Sequence, residues 1–182
     1  VEQVSDRHRF ERVYVDHYDA VLRYCLRRSD REDALDATAE TFAVAWRRRF
    51  DMPAGRELPW LYGVARRVLA NQRRSVSRRE SAVSYLRVLP GGSFDEPEPQ
   101  VIRNEETGDV VAALARLKAD DREIIRLAGW EELGREELAF AMDCTPNAVT
   151  KRLNGALDRL ARELGVAERF RGRFFRGGKV AR

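Results

Sequence analysis

Two kinds of side chain are dense enough in this sequence to do recognisable chemistry: guanidinium groups and carboxylates. Residues 47–74 hold eight basic side chains and two acidic ones. Arg66, Arg67, Arg73 and Arg74 recur there beside Trp60 and Asn71, and Arg47, Arg48 and Arg56 precede them. Delocalised cations interleaved with an indole suit a polyanion whose unpaired bases can be stacked. Upstream, Asp33, Asp36 and Glu40 stand three and four residues apart. That spacing gathers like charges on one helix face, where they repel modestly, so their use is easiest to see as a docking stripe for a basic or polar partner. A third set, Thr145, Asn147, Thr150, Lys151, Arg152, Asn154 and Arg159, follows a turn near the C-terminal end. Arginine and lysine pair with guanine, asparagine with adenine, and all of them with phosphate. For the first two sets the plainer alternative is a solvated charged face, with Trp60 in the core; for the third it is a compact trihelical packing unit.

Bond-making chemistry is poorly served. His8 and His17 lie nine residues apart on one helix, so they form neither a zinc-type pair nor a close acid–base pair. Cys25 and Cys144 have no ligand spacing, no phosphate-cradling GxxxxGK[ST] loop occurs, and Asp120–Asp121 reads as a helix start. The expectation is a protein without catalytic residues, metal or cofactor, and not an enzyme.

The 182 residues leave room for one ordinary domain or two small ones. Two cysteines exclude a disulfide-stapled scaffold and fit reduced thiols. Neither a long apolar run nor a signal-peptide pattern occurs, so a cytoplasmic protein without membrane insertion is expected. The 34 basic and 30 acidic residues sum to +4, but unevenly. Residues 1–46 carry −3, 47–74 carry +6, 75–107 carry −2, 108–168 carry −3 and 169–182 carry +6. Two concentrated basic segments on a slightly acidic chain again suit a polyanion.

The elements that must position these groups read as helices throughout, and the fold class expected is all-α. Phe10, Val13, Tyr14, His17, Val21, Tyr24 and Cys25 trace a 3.6-residue stripe over about 8–28. Ser29 and Glu32 form a capping-box pattern for a second helix to about Arg49, with Leu35, Ala39, Phe42 and Trp46 turned inward and the acids about 120° away. Residues 50–57 read as a loop, and a third helix covers about 58–74, with Pro59 early in it and Leu61, Val64, Ala65, Val68 and Leu69 inward. The four arginines 66, 67, 73 and 74 fall on the other side. Residues 76–107, rich in proline, glycine and acids, read as a flexible inter-domain linker, in which 83–89 could make one short helical or extended contact. A second domain, 108–168, follows the first, 1–75. Its first helix carries Val110, Val111, Leu114 and Leu117, and its second, capped by Asp120 and Glu123, carries Ile124, Ile125, Leu127 and Ala128. A short helix over about 135–142 then leads through a tight turn to a helix capped by Thr145, with Pro146 first and Val149, Leu153, Ala156, Leu157, Leu160 and Leu164 inward. This is helix-turn-helix spacing. Gly155 sits awkwardly inside the last helix, at a cost of about 1 kcal/mol relative to alanine. A basic tail, 169–182, closes the chain.

These strings resemble the extracytoplasmic-function group of bacterial sigma factors in the sigma-70 family. Asp33-Ala-Leu-Asp-Ala-Thr-Ala-Glu-Thr-Phe-Ala-Val-Ala-Trp46 is similar to the family's acidic region 2.2 helix. The run from Glu57-Leu-Pro-Trp60 to Val68-Leu-Ala-Asn71 is similar to regions 2.3 and 2.4, and residues 112–164 to region 4. The resemblance implies that Asp33, Asp36, Glu40 and Phe42 belong to the surface docking on the polymerase β′ subunit, Phe42 mainly as a structural residue. It implies that the 47–59 loop and the following helix, with Arg47, Arg48, Arg56, Trp60, Arg66, Arg67, Asn71, Arg73 and Arg74, open and read the −10 element on the single-stranded non-template strand. Thr145, Asn147, Thr150, Lys151, Arg152, Asn154 and Arg159 would read duplex DNA at −35. Core RNA polymerase (β and β′ subunits), promoter DNA and an anti-sigma factor are the implied partners. The chain departs from the family pattern at Gly155 and Leu157, where arginines are frequent, at Ala37-Thr38-Ala39 before the acid, and in the tail. The other readings are a free-standing helix-turn-helix regulator and a helical protein-binding adaptor.

Overall fold

The computed structural model describes residues 2–86 and 105–165. The chain divides into two compact units, Val1–Pro99 and Gln100–Arg182. Every regular element described is a helix, seven in all among the described residues.

The first unit packs three helices, α1 (Glu2–Leu26), α2 (Arg31–Arg47) and α3 (Glu57–Leu86), each against the other two. Val13, Val21, Tyr24 and Cys25 of α1 and Leu61, Val64, Ala65, Val68 and Leu69 of α3 are buried, as the periodicity expects. Helix α2 differs from its expected register. Its buried face is Ala34, Ala37, Thr38, Thr41, Phe42 and Ala45, while Leu35, Ala39 and Trp46 are exposed. The large apolar residues mark the rim of the seam and the small ones its centre. Small side chains let the α2 backbone approach its neighbours closely, and close packing rewards that fit over bulk. The two threonines do not leave polar atoms stranded, because Thr38 Oγ1 donates to Ala34 O at 2.7 Å and Thr41 Oγ1 to Ala37 O at 2.6 Å.

The cap of α2 also sits one residue later than expected. Asp30 Oδ1 accepts from Asp33 N at 2.9 Å, while the Ser29 hydroxyl donates to Cys25 O at 3.1 Å and so completes the end of α1. Helix α3 runs through 75–86, where a linker is expected. Nothing in that stretch breaks a helix, since the first proline after it is Pro90. The rest of the expected linker up to residue 104, including residues 87–89 of the short contact at 83–89, and the tail 169–182 lie outside the described residues.

The second unit comprises α4 (Glu105–Arg116), α5 (Ala119–Gly129), α6 (Arg135–Ala141) and α7 (Pro146–Glu163). Helix α7 packs against the other three. Its inner face, Val149, Leu153, Ala156, Leu157 and Leu160, is buried with Ala113, Leu114, Leu117, Ile124, Leu127 and Leu138, whereas Leu164 is half-buried and Val110 lies at the exposed edge of α4. Asp120 does not cap α5. The N-cap is Lys118, without a side-chain bond, and Asp120 and Asp121 sit in the first turn, where carboxylates complement the helix dipole. Arg122 Nη2 instead donates to Ala115 O and Leu117 O at 2.9 and 3.0 Å, satisfying carbonyls at the end of α4.

Candidate functional site

Three surfaces carry the charged and aromatic residues singled out above. On α2, Asp33, Asp36 and Glu40 are all exposed, and with the true seam centred near Thr38 and Thr41 they lie about 110–170° from its centre, Asp36 almost opposite the core. Glu40 is bonded to Arg47 Nη2 at 2.6 Å along the same face, both side chains being more than half exposed. Such a pair is worth at most about 1 kcal/mol and is easily exchanged for another partner. Phe42 does not join this face. It is buried between α1 and α2, with ring centroids 4.8 Å from Tyr14 and 6.0 Å from Tyr18. Its place in the seam fixes the rotation of α2 and thereby the direction of the acids. Leu35, 42% exposed, and Ala39 form an apolar strip beside the carboxylates.

The second surface joins the loop between α2 and α3 to the outer face of α3. Arg9 Nη2 of α1 donates to Met52 O at 2.8 Å, and the Met52 side chain is buried, so the loop is pinned at its middle. Gly55 turns the chain back toward α3 at φ +76°, a conformation glycine takes without strain. On the outer side the Arg49 guanidinium lies between two rings, 4.6 Å from the Trp46 centroid and 4.3 Å from that of Phe50. Phe50 is 68% exposed, and Trp46 also meets Phe10 edge-on at 5.1 Å. Arg48 lies 5.8 Å from the Trp60 ring and bonds Asp51 at 3.0 Å. Arg56 is exposed at the end of the loop.

Along α3, Trp60, Gly63, Arg67, Asn71 and Arg74 recur at intervals of three and four and so share one face. Arg74 Nη2 donates to Asn71 Oδ1 at 2.7 Å on that face. Arg66 and Arg73 are rotated about 95–115° from the buried centre, toward the flank, and Arg73 Nη2 donates to Arg28 O at 2.7 Å. The expected four-arginine face is therefore two arginines with an indole and an amide, bordered by two more. Arg49, Phe50 and Trp46 were not singled out as a group by their spacing. The stacking is legible only once the α2 terminus and the loop are folded back on each other.

The third surface is the helix-turn-helix of α6 and α7. The turn is a Schellman-type ending built without glycine: Asp143 N donates to Phe140 O at 3.2 Å, Cys144 N to Ala139 O at 2.9 Å, and Asp143 takes φ +53°. Thr145 Oγ1 then accepts from Ala148 N at 3.2 Å, and Pro146 opens α7. Asn147, Lys151, Arg152 and Asn154 are exposed, while the Thr150 hydroxyl is turned back to Pro146 O at 2.9 Å. Arg159 reaches away from this group. Its Nη1 donates to Asp121 Oδ1 on α5 at 2.9 Å, and Asp121 is only 17% exposed. The Arg159 guanidinium lies over Gly155, where a Cβ would stand in ordinary contact with it, 3.5 Å from Nη1.

Among the described residues no group of three histidine, cysteine or acidic side chains could hold a metal, and no helix is long and apolar enough to cross a membrane. Cys25 and Cys144 form no disulfide among the described residues.

Comparison with known proteins gives the family and the fold. Residues 13–79 match the model for Sigma-70 region 2, and residues 107–160 match that for Sigma-70, region 4. The RNA polymerase sigma factor YlaC of Bacillus subtilis (strain 168) is 26% identical over 156 residues, covering 84% of this chain and 90% of that protein. Two solved structures share the fold. The sigma factor RpoE of Bartonella quintana, in complex with the anti-sigma factor NepR, is 23% identical with a TM-score of 0.63, covering 88% of this chain and 98% of that one. CnrH, in complex with the cytosolic domain of CnrY, is 19% identical with a TM-score of 0.55, covering 87% and 89%. Sigma factors act in transcription by binding DNA and are not enzymes. Two family segments, in order and each falling in a three- or four-helix unit, place the chain in the sigma-70 family of RNA polymerase sigma factors, in its extracytoplasmic-function group.

Proposed function

We propose that this chain is the promoter-specificity subunit that brings core RNA polymerase to −35 and −10 elements and assists melting at the latter. The observation that carries the reading is the composition of the first unit's two exposed surfaces. One is a carboxylate face on α2. The other is a platform of Trp46, Arg49, Phe50 and Trp60 continuing into Arg67, Asn71 and Arg74. A regulator that only reads duplex DNA needs neither.

In this mechanism Asp33, Asp36 and Glu40 bind a basic surface of the polymerase β′ subunit, and Phe42 keeps them aimed. Opened non-template strand lies along α3, with Arg47, Arg48, Arg56, Arg66, Arg67 and Arg74 neutralising phosphates and Trp60 and Asn71 meeting bases. Unstacking a base costs a few kcal/mol, and stacking on aromatic and guanidinium planes returns about 1–3 kcal/mol per base. Helix α7 enters the major groove at −35, where Thr145, Asn147, Lys151, Arg152 and Asn154 meet phosphates and base edges. Relatives by fold are held by an anti-sigma factor and by a cytosolic partner domain, and we extend an anti-sigma partner to this chain.

Replacing Asp33, Asp36 and Glu40 together with lysine should lower affinity for core polymerase at least about 100-fold, the scale of several like-charge contacts across an interface. The second unit should stay folded by circular dichroism. Unchanged core affinity would remove the docking assignment, and tight promoter-selective binding by the chain without core activity would favour the free-standing regulator.

A further inference from the structure

The loop between α2 and α3 is built of two short turns. Asp51 N donates to Arg48 O at 2.9 Å, and Arg56 N to Pro53 O at 3.3 Å. Met52 is the joint between them, with its side chain buried. The bond to its carbonyl comes from outside the loop, from Arg9 Nη2 on α1 at 2.8 Å, 43 residues away in sequence. The same nitrogen lies 3.5 Å from Glu57 Oε1, in the first turn of α3. One guanidinium thus ties α1 to the middle of the loop and to the start of the helix that follows. The next residue, Phe10, meets Trp46 edge-on at 5.1 Å, and Trp46 and Phe50 bracket Arg49. Adjacent residues of α1 therefore hold both the joint of the loop and the stack at its entrance.

Arg9 is less open to a strand than its neighbours: its side chain is 34% exposed, against 62% for Arg47 and 49% for Arg48. What it supplies is order. A loop that must become ordered as it binds loses affinity to that ordering, and a loop already in its bound shape does not. Arg48, Arg49 and Phe50 lie on or beside the first turn and Arg56 ends the second, so the joint sets where these side chains stand relative to one another. We infer that Arg9, together with Phe10, is a positioning residue for capture of the opened strand, on the reading that the loop and α3 take unpaired non-template DNA. It holds the 48–56 loop in its receiving shape before the DNA arrives.

The test compares the full chain with Arg9→Gln and Arg9→Lys, each bound to core RNA polymerase. The probe is a labelled single strand recovered from a randomised pool by core with the unaltered chain and not by core alone. Binding is followed by anisotropy across salt concentrations. Arg9→Gln should bind at least about fivefold more weakly, with an unchanged log–log salt slope because no phosphate contact is lost. Its affinity for core should stay the same, while amide exchange over residues 49–56 in the chain alone quickens by about fivefold or more. Arg9→Lys keeps a cationic donor and should restore strand binding to within about twofold. A slope shallower by about 0.7 would make Arg9 a direct phosphate contact, and an equal loss of core affinity would make it a support of the whole unit. Either result would overturn the inference, as would Arg9→Gln binding the strand like the unaltered chain. If no chain-dependent strand is recovered from the pool, the strand-binding reading itself fails and the positioning role with it.

Discussion

Arg159 reaches across to Asp121 on α5, and on the way its guanidinium lies over Gly155, one turn before it. At this position an apparent weakness in a recognition helix becomes an intramolecular tie between α7 and α5. Its partner stands 38 residues away, beyond the reach of any spacing rule, which is why the arginine reads as a DNA contact until the fold is seen. A Cβ at residue 155 would make only ordinary contact with that guanidinium. Gly155→Ala should therefore raise the stability of the second unit by about 0.5–1 kcal/mol through helix propensity, measured as a higher midpoint in thermal unfolding. A lower midpoint would mean that the tie needs more room than described. Asp143 teaches the complementary lesson. The tight turn and the Thr145 cap are legible from Thr145-Pro146, but the left-handed residue is not, because an aspartate rather than a glycine holds φ +53°. Asp143→Ile should cost about 1–2 kcal/mol in the same measurement, and an unchanged midpoint would show that the turn relaxes.

Helix α2 shows how far periodicity carries at the scale of elements. Its existence, length and acid face follow from the pattern, but its inward register does not. Leu35 and Trp46 outweigh Ala34, Ala37 and Ala45 on any hydrophobicity scale, yet the packed centre is the small-residue face. Hydrophobic bulk identifies the side of a helix that meets its neighbours; closeness of approach decides which residues lie at the contact. Helix α3 exceeds its expected end because residues 75–86 lack a breaker, and a charged, serine-containing composition alone does not stop a helix. The loop before it depends on two anchors, the Met52 side chain and the Arg9 bond to its carbonyl. Met52→Ala should destabilise the first unit by about 2–3 kcal/mol. It should also slow open-complex formation on a promoter more than it weakens core binding. Equal losses in both would mean that the loop has no separate part in melting.

For the whole molecule, the formal charge of +4 describes no surface. Carboxylates on α2 and cations from the loop through α3 form separate surfaces, and in the proposed function each meets a different partner. The order and all-α nature of the two units were legible because helix periodicity and proline placement are local properties. The arginine–aromatic stack at Trp46, Arg49 and Phe50, and the withdrawal of Arg73 and Arg159 into intramolecular bonds, were not, because they arise where distant segments meet. Salt dependence should separate the surfaces. Glutamine at Arg67 and Arg74 should make open-complex formation less salt-sensitive by about one to two units of slope, and an unaltered slope would return those arginines to solvated surface. The most direct test of the central claim is run-off transcription by core RNA polymerase on a promoter library, with and without the full chain. New, sequence-restricted start sites that require the chain and disappear with the α2 charge reversal are expected. Identical transcripts with and without it would contradict the account.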